Sequence, residues 1–332
     1  MSEVIHRDQR GRTAERPTEV PAAGWKDVLA RVKVEAKDDN VTLLAGGVAF
    51  FGLLALVPAL VALVSLYGLV ADPRDVERQV NDALGAAPTE VRDLVTQQLS
   101  SITGDAGSAL GLAAIISIVV ALWSASSGIA NLITGINAAY DEDETRGFVK
   151  RRGLALAFTV GAIVFLVIAF GLIAVLPSVL ADSGLGVVGR IVAGVARWVV
   201  LLGAMVVALA ILYRYGPDRD EPRWSWVSAG ALVATVLWLA GSALFAVYTA
   251  NFAKYNETYG SLGAVVVVML WLYISALAVL VGAEINAELE RQTAKDTTRG
   301  DVQPLGRRRA TAADTVGPTA DEIRHGASTE PG

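Results

Sequence analysis

From Leu262 to Ala283 the chain runs without a single charged residue. A helix rising 1.5 Å per residue needs about 20 such residues to cross the hydrocarbon core of a bilayer. The run then meets Glu284, Asn286, Glu288 and Arg291, so carboxylates begin where lipid would give way to water. A helix of this kind in a soluble core would be unusually long. The same signal recurs along the chain, which is 53% hydrophobic and 18% charged, with a mean hydropathy of +0.48. That balance lies on the membrane side of soluble averages.

Five further apolar segments accompany the first. The spans are expected at about 41–70, 108–136, 154–180, 193–213, 227–250 and 262–283. The fold class is therefore all-α: a polytopic membrane protein with six transmembrane helices. Lysine and arginine accumulate before the first span, between the second and third, between the fourth and fifth, and after the sixth. The positive-inside rule then places both termini in the cytoplasm and the acidic loop 71–107 outside. Within that loop Asp72-Pro73 has the form of a helix start, and two short amphipathic segments flank Gly85–Pro88. The hydrophilic first forty residues hold no cleavable signal pattern, so the first apolar segment is expected to direct insertion itself.

Residues 1–24 and 291–332 are polar and of mixed charge, the composition of disordered cytoplasmic tails. Between them the membrane domain covers 25–290. It opens on a basic amphipathic helix over 25–37, with Trp25, Val28, Leu29, Val32 and Ala36 on one face and Lys26, Arg31, Lys33 and Lys37 on the other. Such a helix suits either a membrane surface or packing against the ends of the other helices. Arg190 and Arg197, near the start of the fourth span, can snorkel to the outer interface.

Four positions stand out as candidate functional residues. Pro58 lies inside the first span, where it removes a backbone hydrogen bond and favours a kink, for packing or for mechanism. Asn131 shares one face of the second span with Ser124, Gly128 and Gly135. That face must look into the protein, as a helix interface or as the lining of a substrate path. Glu284 shares a face with the like charge of Glu288, which Arg291 can serve. Glu284 would then pair with Arg152 or Arg214 at the rim, titrate during transport, or sit in water as an ordinary interfacial glutamate. Asn286 completes the set.

No catalytic, cofactor-binding or metal-binding residue is expected. Both histidines, His6 and His325, fall in the tails, cysteine is absent, and HExxH, Walker and GxSxG patterns are missing. Gly184, Gly186 and Gly189 reproduce a GxGxxG spacing, but no strand precedes them. Cations are scattered among acids, which excludes a nucleic-acid face. The expected partners are the bilayer and an unknown small molecule or lipid, with a homo-oligomer open.

Several stretches together resemble the YihY/BrkB family over about residues 25–290. They are AGGVAFFGLLALVPAL in the first span, GINAAY at Gly135–Tyr140, the Tyr213…Pro217 turn, and GAL at Gly230–Leu232 with Trp238, Phe245 and Tyr248. The most specific is YGSLGAVVVVMLWLY…GAEINAE at Tyr259–Glu288, to which Gly282, Glu284 and Asn286 belong. The resemblance implies a six-helix bacterial inner-membrane protein. Some members are labelled virulence factors linked to serum resistance, and an older label is ribonuclease BN, a tRNA-processing nuclease. The sequence lacks the hydrophilic catalytic domain and metal-ligand cluster that the nuclease label requires. It favours a transporter-like protein, with a non-transporting envelope protein as the alternative.

Overall fold

A computed structural model describes residues 9–68, 108–175, 186–251 and 261–326. The expected outer loop and the turns between the third and fourth and the fifth and sixth spans lie outside these residues. Helix α1 spans Ala22–Asp38 and α2 spans Val41–Gly68. They are joined at Asn40, whose φ of 54° is a left-handed conformation that asparagine tolerates. The axis bends there by 61°. Then come α3 (Ser108–Ala139), α4 (Phe148–Phe170, running into a π-helical turn at Gly171–Val175), α5 (Val187–Tyr215), α6 (Trp224–Asn251) and α7 (Ser261–Glu290). Two short helices, α8 (Thr311–Asp314) and α9 (Ala320–Gly326), follow.

Helices α3 to α7 are each long and apolar enough to cross a bilayer, and α2 makes a sixth when taken with the bent helix before it. The α4 span is only 12% buried within the protein. Leu43, Phe50, Val199 and Leu244 stand more than half exposed. Apolar surface on this scale needs a covering of lipid. The chain is an all-α, polytopic membrane protein.

Helix α7 is the hub, touching α1, α2, α3, α6 and α8. Its approach to α6 depends on glycine. A Cβ on Gly230 would lie 2.0 Å from the Gly282 carbonyl oxygen, and one on Gly282 would lie 2.7 Å from the Ala234 Cβ. The main core joins Val41, Ile133, Ile136, Tyr213, Leu280 and Ala283. It sits at one end of the bundle, here called the base, where α2, α4 and α6 begin and α3, α5 and α7 end.

The base is where the sequence reading fails. Both tails, expected as disordered, are folded there over their described residues. The Ala294 N–H donates to the Arg12 carbonyl at 2.9 Å, and Thr293 Oγ1 donates to the Ala14 carbonyl at 2.7 Å. Residues 220–223 pair with the C-terminal segment around Thr298. Arg308 is 4% exposed and donates to the carbonyls of Ala294, Lys295, Gln303 and Ala313. Mixed charge leaves a segment in water only when the charges lack partners, and here Arg10, Arg12, Arg308 and Asp314 each find a carboxylate, a carbonyl or a backbone N–H. Helix α1 packs by Val28 and Val32 on Trp226, Ile285 and Leu289, the packing alternative. Lys26, Leu29, Lys33 and Lys37 remain on its exposed side. Arg197 donates to the Ile173 carbonyl at 3.3 Å, within the π turn.

Removing Arg308 is expected to open the C-terminal segment without unfolding the bundle. Arg308→Ala would cost about 2 kcal/mol of local stability, roughly a 30-fold rise in the open population. Limited proteolysis between residues 294 and 310, compared with cleavage elsewhere, measures it.

Candidate functional site

As α7 leaves the apolar layer it carries three carboxylates into the base, and all three are buried. Glu284 and Glu288 are each 1% exposed, and the Glu290 side chain is fully covered. Desolvating a carboxylate is costly, so each must be matched. Glu290 receives a bidentate pair from Arg219, at 2.7 and 3.1 Å, and a hydroxyl from Thr297 at 2.6 Å. The Arg219 guanidinium also lies 5.0 Å from the centre of the Tyr140 ring. Burial works against the Arg219 charge, but Glu290 outweighs it and holds the group above its usual value.

Glu288 is held from two sides. Arg31 of α1 pairs with one oxygen and also donates to the Glu288 carbonyl at 2.8 Å and to Gln292 Oε1 at 2.9 Å. Arg291 pairs with the other at 2.8 Å and extends to Glu35, at 3.1 Å, and to Asp141. Arg291 thus serves Glu288, as the spacing on the helix indicates.

Glu284 is the exception. Arg152 instead donates to the Trp123 carbonyl and lies 4.3 Å from the centre of its ring. Arg214 binds the Pro222 carbonyl at 2.6 Å and Glu221 at 2.9 Å. Neither expected cation pairs with Glu284, and at 1% exposure it is no interfacial glutamate in water either. Glu284 Oε1 is buried without a hydrogen-bond partner.

The other candidates divide by role. Asn286 Oδ1 accepts from the Gly230 N–H at 2.7 Å, and its Nδ2 donates to the Val227 carbonyl at 3.2 Å. It ties the end of α7 to the first turns of α6, a structural task. Asn131 Nδ2 donates to the Ser127 carbonyl of its own helix at 2.8 Å. Its neighbours on that face meet other helices: Gly128 lies against Ala55, and Gly135 against Leu280. This face is thus a helix interface in part, and Gly128 on it also lines the groove between α2, α3, α4 and α7. Pro58 is half-buried within a helix that continues through it. The structure therefore brings Glu284 and Asn286 together at the base and leaves Asn131 and Pro58 elsewhere.

Among the described residues, two spaces of contrasting lining could receive a molecule. A polar cleft of about 580 Å³ at the base is lined by Glu142, Lys150, Asp218, Arg219, Arg309 and Asp314, acids and bases intermixed. A groove of about 340 Å³ between α2, α3, α4 and α7 is almost wholly apolar, walled by Gly52, Ala55, Gly128, Ala162, Ile163 and Leu272. Its few hydroxyls are engaged: Thr159 donates to the Ala155 carbonyl at 2.7 Å and Ser275 to the Trp271 carbonyl at 2.8 Å.

A family model described as virulence factor BrkB matches residues 32–305, spanning both α7 and the charged base. The chain belongs to that family. Its similarity to curated family proteins is also extensive. A ribonuclease-like protein, YfkH, of Bacillus subtilis is 30% identical over 250 residues, covering 74% of this chain and 88% of that one. A UPF0761 membrane protein of Alteromonas mediterranea is 29% identical over 80% of this chain and 88% of its own length. Another, from Pseudoalteromonas translucida, is 25% identical over 78% and 85%. No solved structure matches.

Sequence reasoning missed the roles of Arg31 and Arg219, which act across more than 70 residues of chain. The one available signal was the excess of acids at the end of α7, which demanded distant cations. Because Arg219 and Glu290 are both fully covered, Arg219→Met is expected to cost about 3–5 kcal/mol by stranding a buried charge. The double variant Arg219→Met/Glu290→Leu should recover much of that loss. Thermal unfolding in detergent of both variants checks it.

Proposed function

We propose that this BrkB-family protein handles a membrane-resident, lipid-like molecule by holding its apolar portion in the groove between α2, α3, α4 and α7. The observation that carries the reading is the groove's lining: about 340 Å³ with its hydroxyls bonded to their own helices. Such walls suit an acyl or prenyl chain and offer a hydrated solute nothing to exchange for its water. Transport of that molecule across the bilayer is the leading form of the proposal, and a non-transporting envelope role is its alternative. The ribonuclease-like name of the Bacillus relative finds less support, since the described residues include no group of three or more His, Cys, Asp or Glu placed to hold a metal ion. A non-enzymatic role is accordingly proposed.

The frame for this reading is a bacterial inner membrane with the base and both termini on the cytoplasmic side. It rests on the cation-rich loops 146–152 and 214–223 lying at the base. With no native cysteine, single substitutions can report topology. Lys150→Cys is expected to resist a membrane-impermeant thiol reagent in intact cells and to react after lysis. Labelling in intact cells would reverse the orientation.

Ala162 is exposed and lines the groove, so Ala162→Trp fills it from the lipid side. In proteoliposomes the wild-type protein is expected to accelerate the passage of a fluorescent phospholipid between leaflets, and Ala162→Trp to stop it. A control change on the outer face, Val199→Trp, should leave the rate alone. Without acceleration by the wild type, photo-crosslinking of a diazirine-bearing fatty acyl lipid separates the alternatives. Crosslinks at the groove that Ala162→Trp removes favour the non-transporting role. Crosslinks insensitive to that change remove the groove from the proposal.

A further inference from the structure

We infer that a cleft between the start of α4 and the end of α5 binds the phosphate group of a membrane phospholipid, with Lys150 and Arg214 as its donors. This cleft, of about 420 Å³, adjoins the polar cleft of the base and shares Lys150, Asp218 and Arg219 with it. Its volume falls in the range of small-molecule sites. Four cations line it, Arg146, Lys150, Arg214 and Arg219, against two acids, Asp218 and Glu221.

The chemistry turns on which of these charges are already satisfied. Arg219 is spent on Glu290. Arg146 donates to both Glu144 oxygens at 2.7 Å and to the Gly216 carbonyl at 2.8 Å. The acids are engaged as well. Asp218 accepts the Thr145 N–H at 2.7 Å and the Thr145 hydroxyl at 2.6 Å, and Glu221 accepts from Arg214. Lys150 is exposed and makes no ion pair or hydrogen bond among the described residues. An uncommitted ammonium beside committed carboxylates favours an added anion.

Arg214 supplies a second, independent observation. Its side chain is 3% exposed, and two of its nitrogens donate to the Pro222 carbonyl and to Glu221. Its Nε is buried with no partner. Arg152, Arg197 and Arg291 also bury an Nε without a partner, but none of them lines either cleft of the base. A buried donor without an acceptor is costly, and a phosphate oxygen in the cleft supplies one. The Trp224 and Tyr215 ring centres lie 4.6 and 5.4 Å from the guanidinium and flank it.

The rim identifies the source of the phosphate. Tyr215 lines the cleft together with Leu154, and Phe148, Val149, Tyr215 and Trp224 are all exposed around it. Exposed rings at the ends of membrane helices sit at headgroup depth. A basic pocket between helices at that depth suits a lipid headgroup, whereas a free anion gains nothing from an apolar rim. By helical periodicity, Lys150 and Leu154 lie on the side of α4 opposite Thr159, Ala162, Ile163 and Leu166, which line the groove. The site is therefore independent of the function proposed for the groove.

The test titrates the full-length protein in detergent with dioleoyl phosphatidylglycerol and reads the lipid-bound fraction by native mass spectrometry. The wild type is expected to retain this lipid and to bind dioleoylglycerol, which lacks the phosphate, at least tenfold more weakly. Lys150→Gln should weaken phosphatidylglycerol binding about tenfold, as the loss of one charge-assisted hydrogen bond would. Lys150→Arg should restore it. Lys33→Gln, which removes another exposed cation on α1, should leave binding unchanged. Equal weakening by Lys150→Gln and Lys33→Gln would overturn the inference, reducing it to general surface charge. Dioleoylglycerol bound as tightly as the phospholipid would overturn it too. Displacement of the lipid by an equal concentration of inorganic phosphate would make the ligand a free anion and overturn it equally.

Discussion

Three carboxylates in two turns at the end of α7 have to be matched after burial, and the construction of the base follows from that demand. Glu288 draws α1 down through Arg31 and Glu290 draws in the α5–α6 loop through Arg219, whose side chain is as fully covered as its partner's. The C-terminal segment comes in through Thr297, Gln292 and the Pro318 carbonyl. Breaking one partner of a buried pair leaves a stranded charge, so each contact holds more firmly than its surface counterpart would. A bundle whose spans are mostly covered by lipid gets little packing from its outer faces. The charged base fixes how the helix ends are arranged.

The apolar half of the fold was legible because its rule is one of length. A segment with no charge over about 20 residues crosses the bilayer as a helix, and the helices found at those positions follow. Their ends were less legible. Helix α7 runs on to Glu290 beyond the apolar span that ends at 283, and α4 begins at Phe148, ahead of the span that starts near 154. Hydropathy marks where lipid ends, whereas a helix continues as long as its side chains find partners beyond the lipid. The tails were misread for the same reason. Arg12, Arg308 and Thr293 look solvated in sequence and are ordered by carbonyls contributed from elsewhere in the chain.

The candidate site was legible to a similar depth. That Glu284 needed a partner could be read from the like charge four residues on and from Arg291 being claimed by Glu288. What the sequence could not show is that the two expected cations are engaged elsewhere, Arg152 by the Trp123 carbonyl and Arg214 by the Pro222 carbonyl and Glu221. Asn131 shows the opposite case. Its periodicity with Gly128 and Gly135 located an inward face, on which Gly135 packs against Leu280 while Gly128 meets Ala55 and borders the groove. Amide polarity on a transmembrane helix indicates where a residue points and leaves open what it meets, since its own helix can satisfy it.

The four helices that wall the groove are held to different degrees. Helix α7 is pinned to α6 where Gly230 and Gly282 bring backbone against backbone, and α2 packs along both α3 and α7. Helix α4 touches α2 and α3, yet its span is only 12% buried within the protein. Lipid rather than protein therefore covers most of α4, and the wall of the groove least fixed by protein contacts is the one that adjoins the bilayer.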